Sequence, residues 1–179
     1  MSGHSKWSQI KHKKAATDAK KSRAFSKILG AIAIAARQGG GPGSNPHLRT
    51  LIEKAHAGEV PKENIERALR KPAESDALQE ITIEAYGPEK AALIIEAITD
   101  NTNRTIHEIR NILEEHGAKP GGQGSVCWLF ERASPGNPWI PKFKKTVSEG
   151  GCVLLTPLLE ALQDHPDVER VATDIEQPR

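Results

Sequence analysis

Apolar residues in the first third of the chain recur with the period of an α-helix. One stripe predicts a helix that begins near Ile10 and ends at the Gly-rich loop of residues 39–43. Its members are Phe25, Ile28, Leu29, Ile32 and Ala36. Residues 1–9 have no such period, so we expect an extended tail there.

Two shorter apolar stripes follow this loop. Asn45-Pro46 is typical of a helix start, with an N-cap and then Pro at the first helical position, and Gly58 ends that helix. Pro61 opens a third helix. The inward-facing residues are Leu48, Leu51, Ile52, Ala55, Ile65, Ala68 and Leu69. The pattern predicts a three-helix domain over residues 1–75, and the polar residues 71–79 predict a linker.

The period then changes to that of β-strands. Ile81, Ile83 and Ala85 alternate with polar residues, which predicts a half-buried strand, and the nearly continuous apolar run 91–98 predicts a central strand. Thr105-Ile-His-Glu108 has the form of a capping box and predicts a helix that starts there and ends at Gly117.

The last third predicts two more strands and one more helix. Val126, Trp128 and Phe130 indicate a third strand, residues 133–151 look irregular, Thr156-Pro157 is expected to cap a short helix, and residues 168–175 indicate a last strand. The order β-β-α-β-α-β predicts an α+β fold over residues 76–179, a ferredoxin-like sandwich.

The charges of the chain are segregated, although the formal net charge is only +2. Residues 1–71 hold 15 Lys and Arg against 5 Asp and Glu, a formal charge of +10. Residues 72–179 hold 10 against 18, a formal charge of −8. A basic segment beside an acidic body is typical of a protein that docks on a polyanion such as nucleic acid. The acidic body would be repelled there, so we expect it to orient the protein or to meet another partner.

Residues 4–27, which we call the basic arm, concentrate the positive charge. Solvated helix faces usually mix signs, but here Asp18 is the single acid, which favours contact with phosphates. The expected phosphate ligands are Lys6, Lys11, Lys13, Lys14, Lys20, Lys21, Arg23 and Lys27. The arm has no Asn/Gln or bidentate Arg cluster for reading bases, so its residues do not choose between DNA and RNA, and backbone reading suits ribosomal RNA at least as well as DNA.

His4, Trp7 and His12 are interleaved with these cations. Trp7 is expected either to stack on a base or to fold back as a packing residue, and the sequence does not choose between them. His4 and His12 could form an acid–base pair, but only one carboxylate is near and a flexible tail is a poor scaffold for catalysis. We therefore expect no enzymatic activity.

Other motifs have ordinary structural readings. Asp100-Asn-Thr-Asn-Arg-Thr105 follows a strand, where turn and cap chemistry is favoured over anion binding. The Gly-rich stretch 117–124 is no phosphate-binding loop, because it lacks the Gly-Lys-Ser/Thr ending. Trp128 and Phe130 could form an aromatic platform for RNA bases, but alternating aromatics are more often core.

Several classes of protein are disfavoured by composition. Cys127 and Cys152 stand far apart without metal-ligand spacing, so we expect no metal and no cofactor. No apolar run approaches the length of a membrane span, and the polar N-terminus is unlike a secretory signal. We expect a cytoplasmic protein with no membrane contact and no small-molecule substrate; the oligomeric state is open.

The chain closely resembles the YebC/PmpR family of probable bacterial transcriptional regulators, whose organellar relative is the mitochondrial translational activator of cytochrome c oxidase. The resemblance runs in order along nearly the whole chain. It rests on Gly3-His-Ser-Lys-Trp7, Lys11-His-Lys-Lys14, Phe25-Ser-Lys27, Gly39-Gly40, Asn45-Pro46, Leu48, Tyr86-Gly-Pro88, Asp100-Asn-Thr-Asn-Arg-Thr105, Gly124-Ser-Val126, Phe130, Leu159-Glu-Ala-Leu162 and Asp164-His-Pro-Asp-Val168.

The resemblance implies a non-enzymatic, cytoplasmic, nucleic-acid-binding factor that regulates transcription or, in relatives, assists translation. Arg104 becomes a secondary candidate for nucleic-acid contact because it belongs to a family motif. A further reading is a protein-interaction module that the basic arm tethers to nucleic acid.

The sequence departs from the family pattern in three places. A short connection, residues 133–145, stands where the family usually has a third domain. Glu89-Lys90-Ala91 stands where glycines are common, and Pro157 falls inside the last helix, which we expect to be shorter. Functions that depend on the third domain are therefore not expected to carry over unchanged.

Overall fold

The computed structural model describes residues 3–70, 78–133 and 138–176, with side chains from Lys21 onward and that of Asp18. Three helices come first: α1 (Gly3–Arg37), α2 (Pro46–Ala57) and α3 (Lys62–Arg70). The cap of α2 is as predicted, because the Asn45 side chain accepts a hydrogen bond from the Leu48 amide at 3.1 Å. The predicted stripes meet in one core of Ala31, Ile32, Ala35, Leu48, Leu51, Ala55, Val60 and Ile65.

Helix α1 begins earlier than the apolar pattern predicted. It starts at Gly3 rather than near Ile10, so the expected extended tail is wrong for residues 3–9. An apolar stripe marks only the part of a helix that the sequence pattern can reveal, whereas the Ala- and Lys-rich residues before it have high intrinsic helix propensity, which the pattern does not record. At about 1.5 Å per residue, 35 residues make a rod of about 50 Å.

A four-stranded antiparallel sheet forms the second part of the chain. Its strands are β1 (Gln79–Tyr86), β2 (Ala92–Thr99), β3 (Lys119–Pro120) and β6 (Val168–Thr173), in the order β3-β1-β2-β6. Helices α4 (Thr102–Glu115) and α5 (Glu149–Asp164) pack on one face. A separate two-stranded ladder joins β4 (Phe130–Glu131) to β5 (Ile140–Pro141). The predicted α+β class is confirmed.

Strand β2 is central, as predicted, and both of its faces are covered. Leu93, Ile95 and Ala97 face α4 and α5, whereas Ala92 and Ile94 contact a second cluster that contains Val126 and Phe130. Burial on both faces explains why the strand is a continuous apolar run rather than an alternating one. At its end Ile98 packs against the helical core, which joins the two parts of the chain.

The predicted third strand over Val126, Trp128 and Phe130 is wrong. Residues 127–129 form a short 3-10 helix, and only Phe130–Glu131 is extended. The strand that pairs with β1 at its outer edge is instead β3, two residues long. Because the 3-10 turn breaks the alternation, Val126 and Phe130 are buried while Trp128 is 63% exposed, so the preferred reading of Trp128 as core is wrong as well.

Two predicted helix starts also need correction. Helix α4 begins at Thr102 with Asn101 as its cap, and Thr105 is buried inside the helix. Helix α5 begins at Glu149 with Ser148 as its cap and runs through Pro157 without a break, so it is longer than expected. Thr156 lies within that helix, where its hydroxyl bonds the Cys152 carbonyl. Local capping patterns cannot rank competing caps when tertiary packing selects one of them.

The turn between β1 and β2 is unusual for its residue types. Glu89 and Lys90 have φ of 52° and 59°, in the left-handed region that favours glycine, and they stand where the family pattern commonly has glycines. Ser148 at the start of α5 donates its hydroxyl to the Glu89 carboxylate and its amide to Oε2 at 3.1 Å. These bonds lower the pKa of Glu89 and hold the turn against α5.

The predicted linker mostly falls on residues 71–77, which lie outside the described residues, so the domain boundary at 75/76 stays a prediction. Within the connection 133–145, residues 134–137 are likewise outside them. The stretch 133–151, predicted to be irregular, is not wholly so, because β5 lies within it and α5 begins at Glu149.

Glu84 is a buried carboxylate that the alternating pattern places on the solvent face of β1. Its side chain accepts three backbone hydrogen bonds, from the amides of Gly124 at 2.5 Å, Val126 at 2.6 Å and Cys127 at 2.9 Å. Burial would raise the pKa of Glu84, but these donors outweigh it and the pKa lies below its ordinary value. The Gly124-Ser-Val126 motif therefore serves to wrap a loop around an ionised carboxylate.

We predict that Glu84→Gln lowers the free energy of unfolding by about 2 kcal/mol at pH 7, because an amide cannot accept all three bonds. Since the folded pKa is depressed, this contribution is present above about pH 4.5, the ordinary pKa, and disappears as the pH falls through the folded value. Urea denaturation at pH 7 and at pH 3 measures both effects. Glu80→Gln, an exposed change on the same strand, is the matched control; equal losses in the two variants would contradict the assignment.

Candidate nucleic-acid interface

The described end of the basic arm lies against an acidic residue. The Lys21 ammonium is 2.7 Å from Glu59 Oε2 and 5.8 Å from the centre of the Phe25 ring. This bond lowers the pKa of Glu59. Arg23 is exposed. A phosphate would have to compete with Glu59 for Lys21. Because this ion pair is exposed, salt readily screens it.

Lys27 is engaged within the protein rather than presented to solvent. Its Nζ donates to the Gln163 carbonyl at 2.6 Å, which ties α1 to the end of α5. Burial lowers the pKa of Lys27, although Glu169 and Asp164 oppose the shift. Glu169 is affected in the opposite sense, since burial raises the pKa of its carboxyl. This geometry does not favour Lys27 as a phosphate ligand.

Arg104 is surrounded by carboxylates. Its guanidinium lies 2.8 Å from Asp167, 3.0 Å from Glu108 and 3.2 Å from Asp100. These charges, Asp167 first, raise the pKa of Arg104. A cation with three acidic neighbours offers little net attraction for a phosphate, so the geometry favours a structural role for Arg104.

Asp167 connects Arg104 to the buried end of β2. Its Oδ2 accepts a 2.5 Å hydrogen bond from the buried Thr105 hydroxyl, which also lies 2.7 Å from Thr99 Oγ1. The two motifs, residues 100–105 and 164–168, are therefore halves of one polar network. The turn-and-cap reading of the first motif agrees with this arrangement.

His165 closes the same network in a defined tautomer. Its Nδ1 accepts the Asp167 amide at 3.1 Å, which leaves Nε2 as the protonated nitrogen that donates to Glu108 at 3.0 Å. Glu108, His165 and Asp167 hold ligand atoms within 4.8 Å of one another, a spacing that a metal ion could use. The Arg104 guanidinium already contacts the carboxylates of Glu108 and Asp167, and it supplies there the positive charge that a metal ion would supply.

Lys27 and Arg104 line one cleft of about 280 Å³ between α1 and the polar network. The other charged residues of its lining are Asp100, Asp167 and Glu169. Acids outnumber bases, so this cleft does not have the electrostatics of a phosphate site. It marks where the helical part docks on the sheet.

The remaining predicted ligands lie on α1 before Lys21. Their side chains are outside the part that the structure describes, so their roles stay predictions. They are His4, Lys6, Trp7, Lys11, His12, Lys13, Lys14 and Lys20. The backbone places all of them on one continuous helix with Lys21 and Arg23.

Sequence reasoning missed the partners that neutralise the arm's far end. Lys21 is paired with Glu59, which lies just past α2 and has a φ of 61°. Lys27 is influenced by Glu169 on β6. Both acids are distant from the arm in sequence. Asp167 had a detectable signal, because it lies in a family motif, but nothing in the sequence paired that motif with Arg104.

Comparison with known proteins identifies the family. The description "TACO1/YebC protein N-terminal domain" matches residues 5–75, and "TACO1/YebC second and third domain" matches residues 78–135. A probable transcriptional regulatory protein of Solibacter usitatus is 49% identical over 177 residues, covering 97% of this chain and 71% of the relative. The chain belongs to the TACO1/YebC family.

Other TACO1/YebC proteins agree in sequence and fold. A probable transcriptional regulatory protein of Thermosipho melanesiensis is 51% identical over 148 residues, which cover 80% of this chain but 58% of the relative. A conserved hypothetical protein from Aquifex aeolicus has a similar crystal structure, with a TM-score of 0.79 at 29% identity over 90% of this chain and 93% of that one.

Among the described residues, no helix is both long enough and apolar enough to cross a membrane.

We predict that Asp167→Asn lowers the free energy of unfolding by about 2 kcal/mol, because the partly buried hydrogen bond from Thr105 and the ion pair with Arg104 lose an ionised acceptor. Asp100→Asn is the matched control. Its carboxylate is 67% exposed and contacts the same guanidinium, so the expected loss is below about 0.5 kcal/mol. Chemical denaturation of both variants measures the difference, and similar losses would show that Asp167 does not hold the network together.

Proposed function

We propose that this TACO1/YebC protein is a non-enzymatic, cytoplasmic regulator of gene expression that binds nucleic acid through the basic arm. One observation carries the proposal: α1 is a single 35-residue helix with nine Lys and Arg, one Asp and no Glu. Among its described side chains, those that pack in the helical core run from Phe25 to Ala36. The cations that precede this packed part are held on one helix with Asp18 as the single acid, and a rod of such predominantly positive charge fits along a phosphate backbone.

The phosphate ligands that we propose are the cations of the basic arm other than Lys27. These are Lys6, Lys11, Lys13, Lys14, Lys20, Lys21 and Arg23. His4, Trp7 and His12 lie on the same helix and would add stacking or hydrogen bonds. Lys27 and Arg104 are left out because the protein already engages them.

The name borne by the relatives, probable transcriptional regulatory protein, supports DNA as the target. Phosphate contacts position a protein without reading sequence, so the arm alone suits ribosomal RNA equally well. A translation factor is therefore the second candidate function. The acidic body would then face away from the polyanion and remain available to a protein partner.

The charge-reversal variant Lys11→Glu, Lys13→Glu and Lys14→Glu should weaken binding of a labelled duplex by at least a hundredfold at 0.1 M salt. It should also reduce the slope of log affinity against log salt by about 3, since each lost phosphate contact removes about 0.9 from the slope. Fluorescence anisotropy over a salt series measures both.

The matched control reverses the same number of charges on α2 and α3, with Lys54→Glu, Lys62→Glu and Arg67→Glu, all exposed. We expect a smaller loss there, from long-range repulsion alone. Equal losses in the two variants would mean that net charge, not the arm, governs binding, and an arm variant within twofold of the unaltered protein would refute the proposal.

Co-sedimentation with ribosomes at 0.15 M salt, challenged with excess duplex DNA, should distinguish the two candidate functions. If the arm serves transcription, excess duplex DNA strips the protein from ribosomes, because both polyanions compete for the same cations. Protein that stays in the ribosomal pellet under that challenge would establish the translation factor instead.

A further inference from the structure

Three aromatic side chains are exposed on the sheet part of the chain. Tyr86 is 37% exposed, Trp128 63% and Phe143 73%. The whole chain has only seven aromatic residues, 3 Trp, 1 Tyr and 3 Phe, so these three are a large share of a scarce type. None of them belongs to the basic arm or to the network around Arg104.

Trp128 and Phe143 are brought together by the ladder of β4 and β5. Its register pairs Phe130 with Pro141, and the Lys142 amide donates to the Leu129 carbonyl at 2.9 Å, which extends the pairing by one residue. Trp128 lies in the 3-10 turn just before β4, and Phe143 follows Lys142 just after β5, so both residues leave the same end of the ladder.

Tyr86 adjoins Trp128 through a shared acceptor. The Tyr86 hydroxyl and the Trp128 Nε1 both donate to the Ser125 carbonyl, at 2.8 Å and 2.9 Å. The loop that carries this carbonyl is itself fixed, because the next amides, of Val126 and Cys127, bond to Glu84. The polar tips of both rings are thereby pinned, so the rings are held in place although they are exposed.

Three lysines lie on the segments that carry these rings, within a part of the chain whose overall charge is negative. Lys119 pairs with Tyr86 in the sheet, the Lys142 ammonium donates to the Trp128 carbonyl at 2.9 Å, and Lys144 is exposed beside Phe143. Pinned, exposed aromatics with interleaved cations are what single-stranded nucleic acids bind, because every base has a face to stack and every linkage a phosphate.

We propose that Tyr86, Trp128 and Phe143, with Lys119 and Lys144, form a stacking surface for unpaired nucleotides, which we call the aromatic platform. The inference deepens the proposed function: the basic arm anchors the polyanion, and the aromatic platform holds an adjacent single-stranded segment. Stacking does not distinguish ribose from deoxyribose, so the ligand class is a single strand of either kind.

The test uses the full chain and fluorescence anisotropy with a labelled, unstructured 12-nucleotide strand, as RNA and as DNA. The double variant Trp128→Ala and Phe143→Ala should bind the strand at least tenfold more weakly, because each lost stacked base costs about that much or more. Its affinity for a duplex and for an abasic strand of the same length should stay within twofold, and the salt slope should not change. Trp128→Phe keeps a stacking face and should restore most of the loss.

The matched control is Val153→Ala and Leu154→Ala, which removes two exposed apolar side chains from α5 and should leave strand binding unaltered. Thermal melts check that both double variants stay folded. A platform variant that binds the strand within twofold of the unaltered protein would overturn the inference. That is the result expected if these rings contact only a protein partner.

The arm charge reversal separates this failure from that of the proposed function. If the arm variant loses strand and duplex binding while the platform variant loses neither, only the aromatic platform is wrong. If the arm variant binds normally and the platform variant loses the strand, the platform stands and the arm proposal fails. An unaltered protein that binds neither strand nor duplex refutes both.

Discussion

Burial of β2 on both faces is the constraint on which the architecture depends. A strand with no solvent face needs two covering layers, and this chain supplies them from distant segments: α4 and α5 on one side, and the loop around Val126 and Phe130 on the other. The end of β2 then contacts the helical core through Ile98. The position of α1 relative to the sheet follows from that last contact and from the Lys27–Gln163 hydrogen bond.

Two charged side chains of this architecture are paired within the protein and serve a structural role. The Arg104 guanidinium forms ion pairs with Asp100, Glu108 and Asp167, and the Glu84 carboxylate accepts hydrogen bonds from three backbone amides. Both are ionised groups at conspicuous motifs, and both hold loops in place. The cations that we propose for a partner are instead those on α1 before its packed part, together with Lys119 and Lys144. For Glu84 the pairing follows from desolvation, because a buried charge must be neutralised within the fold, whereas Arg104 is exposed and is paired by its three acidic neighbours.

The two surfaces proposed for nucleic acid would act by different physics. Binding by the arm rests on counterion release and is steeply salt-dependent, whereas stacking on Trp128 and Phe143 depends on the presence of an unpaired base. Together they would favour junctions where a single strand leaves a duplex or a structured RNA. The acidic remainder of the body would limit contact elsewhere and so orient the protein.

Periodicity and charge along the sequence by themselves determined the three helices, the central strand, the Asn45 cap and the separation of a basic arm from an acidic body, because these are local properties of side-chain spacing and charge. The family resemblance rested on motifs that were equally visible in the sequence. The tertiary structure alone decided that Thr105 is buried rather than a cap, that Pro157 lies inside α5 and that Trp128 is exposed. It also decided that Arg104 and Lys27 bind partners within the protein. Asp167 lies more than sixty residues from Arg104 along the chain, and Gln163 lies more than a hundred residues from Lys27. Local patterns cannot choose among such distant contacts, because the choice depends on which surfaces the folded chain desolvates together.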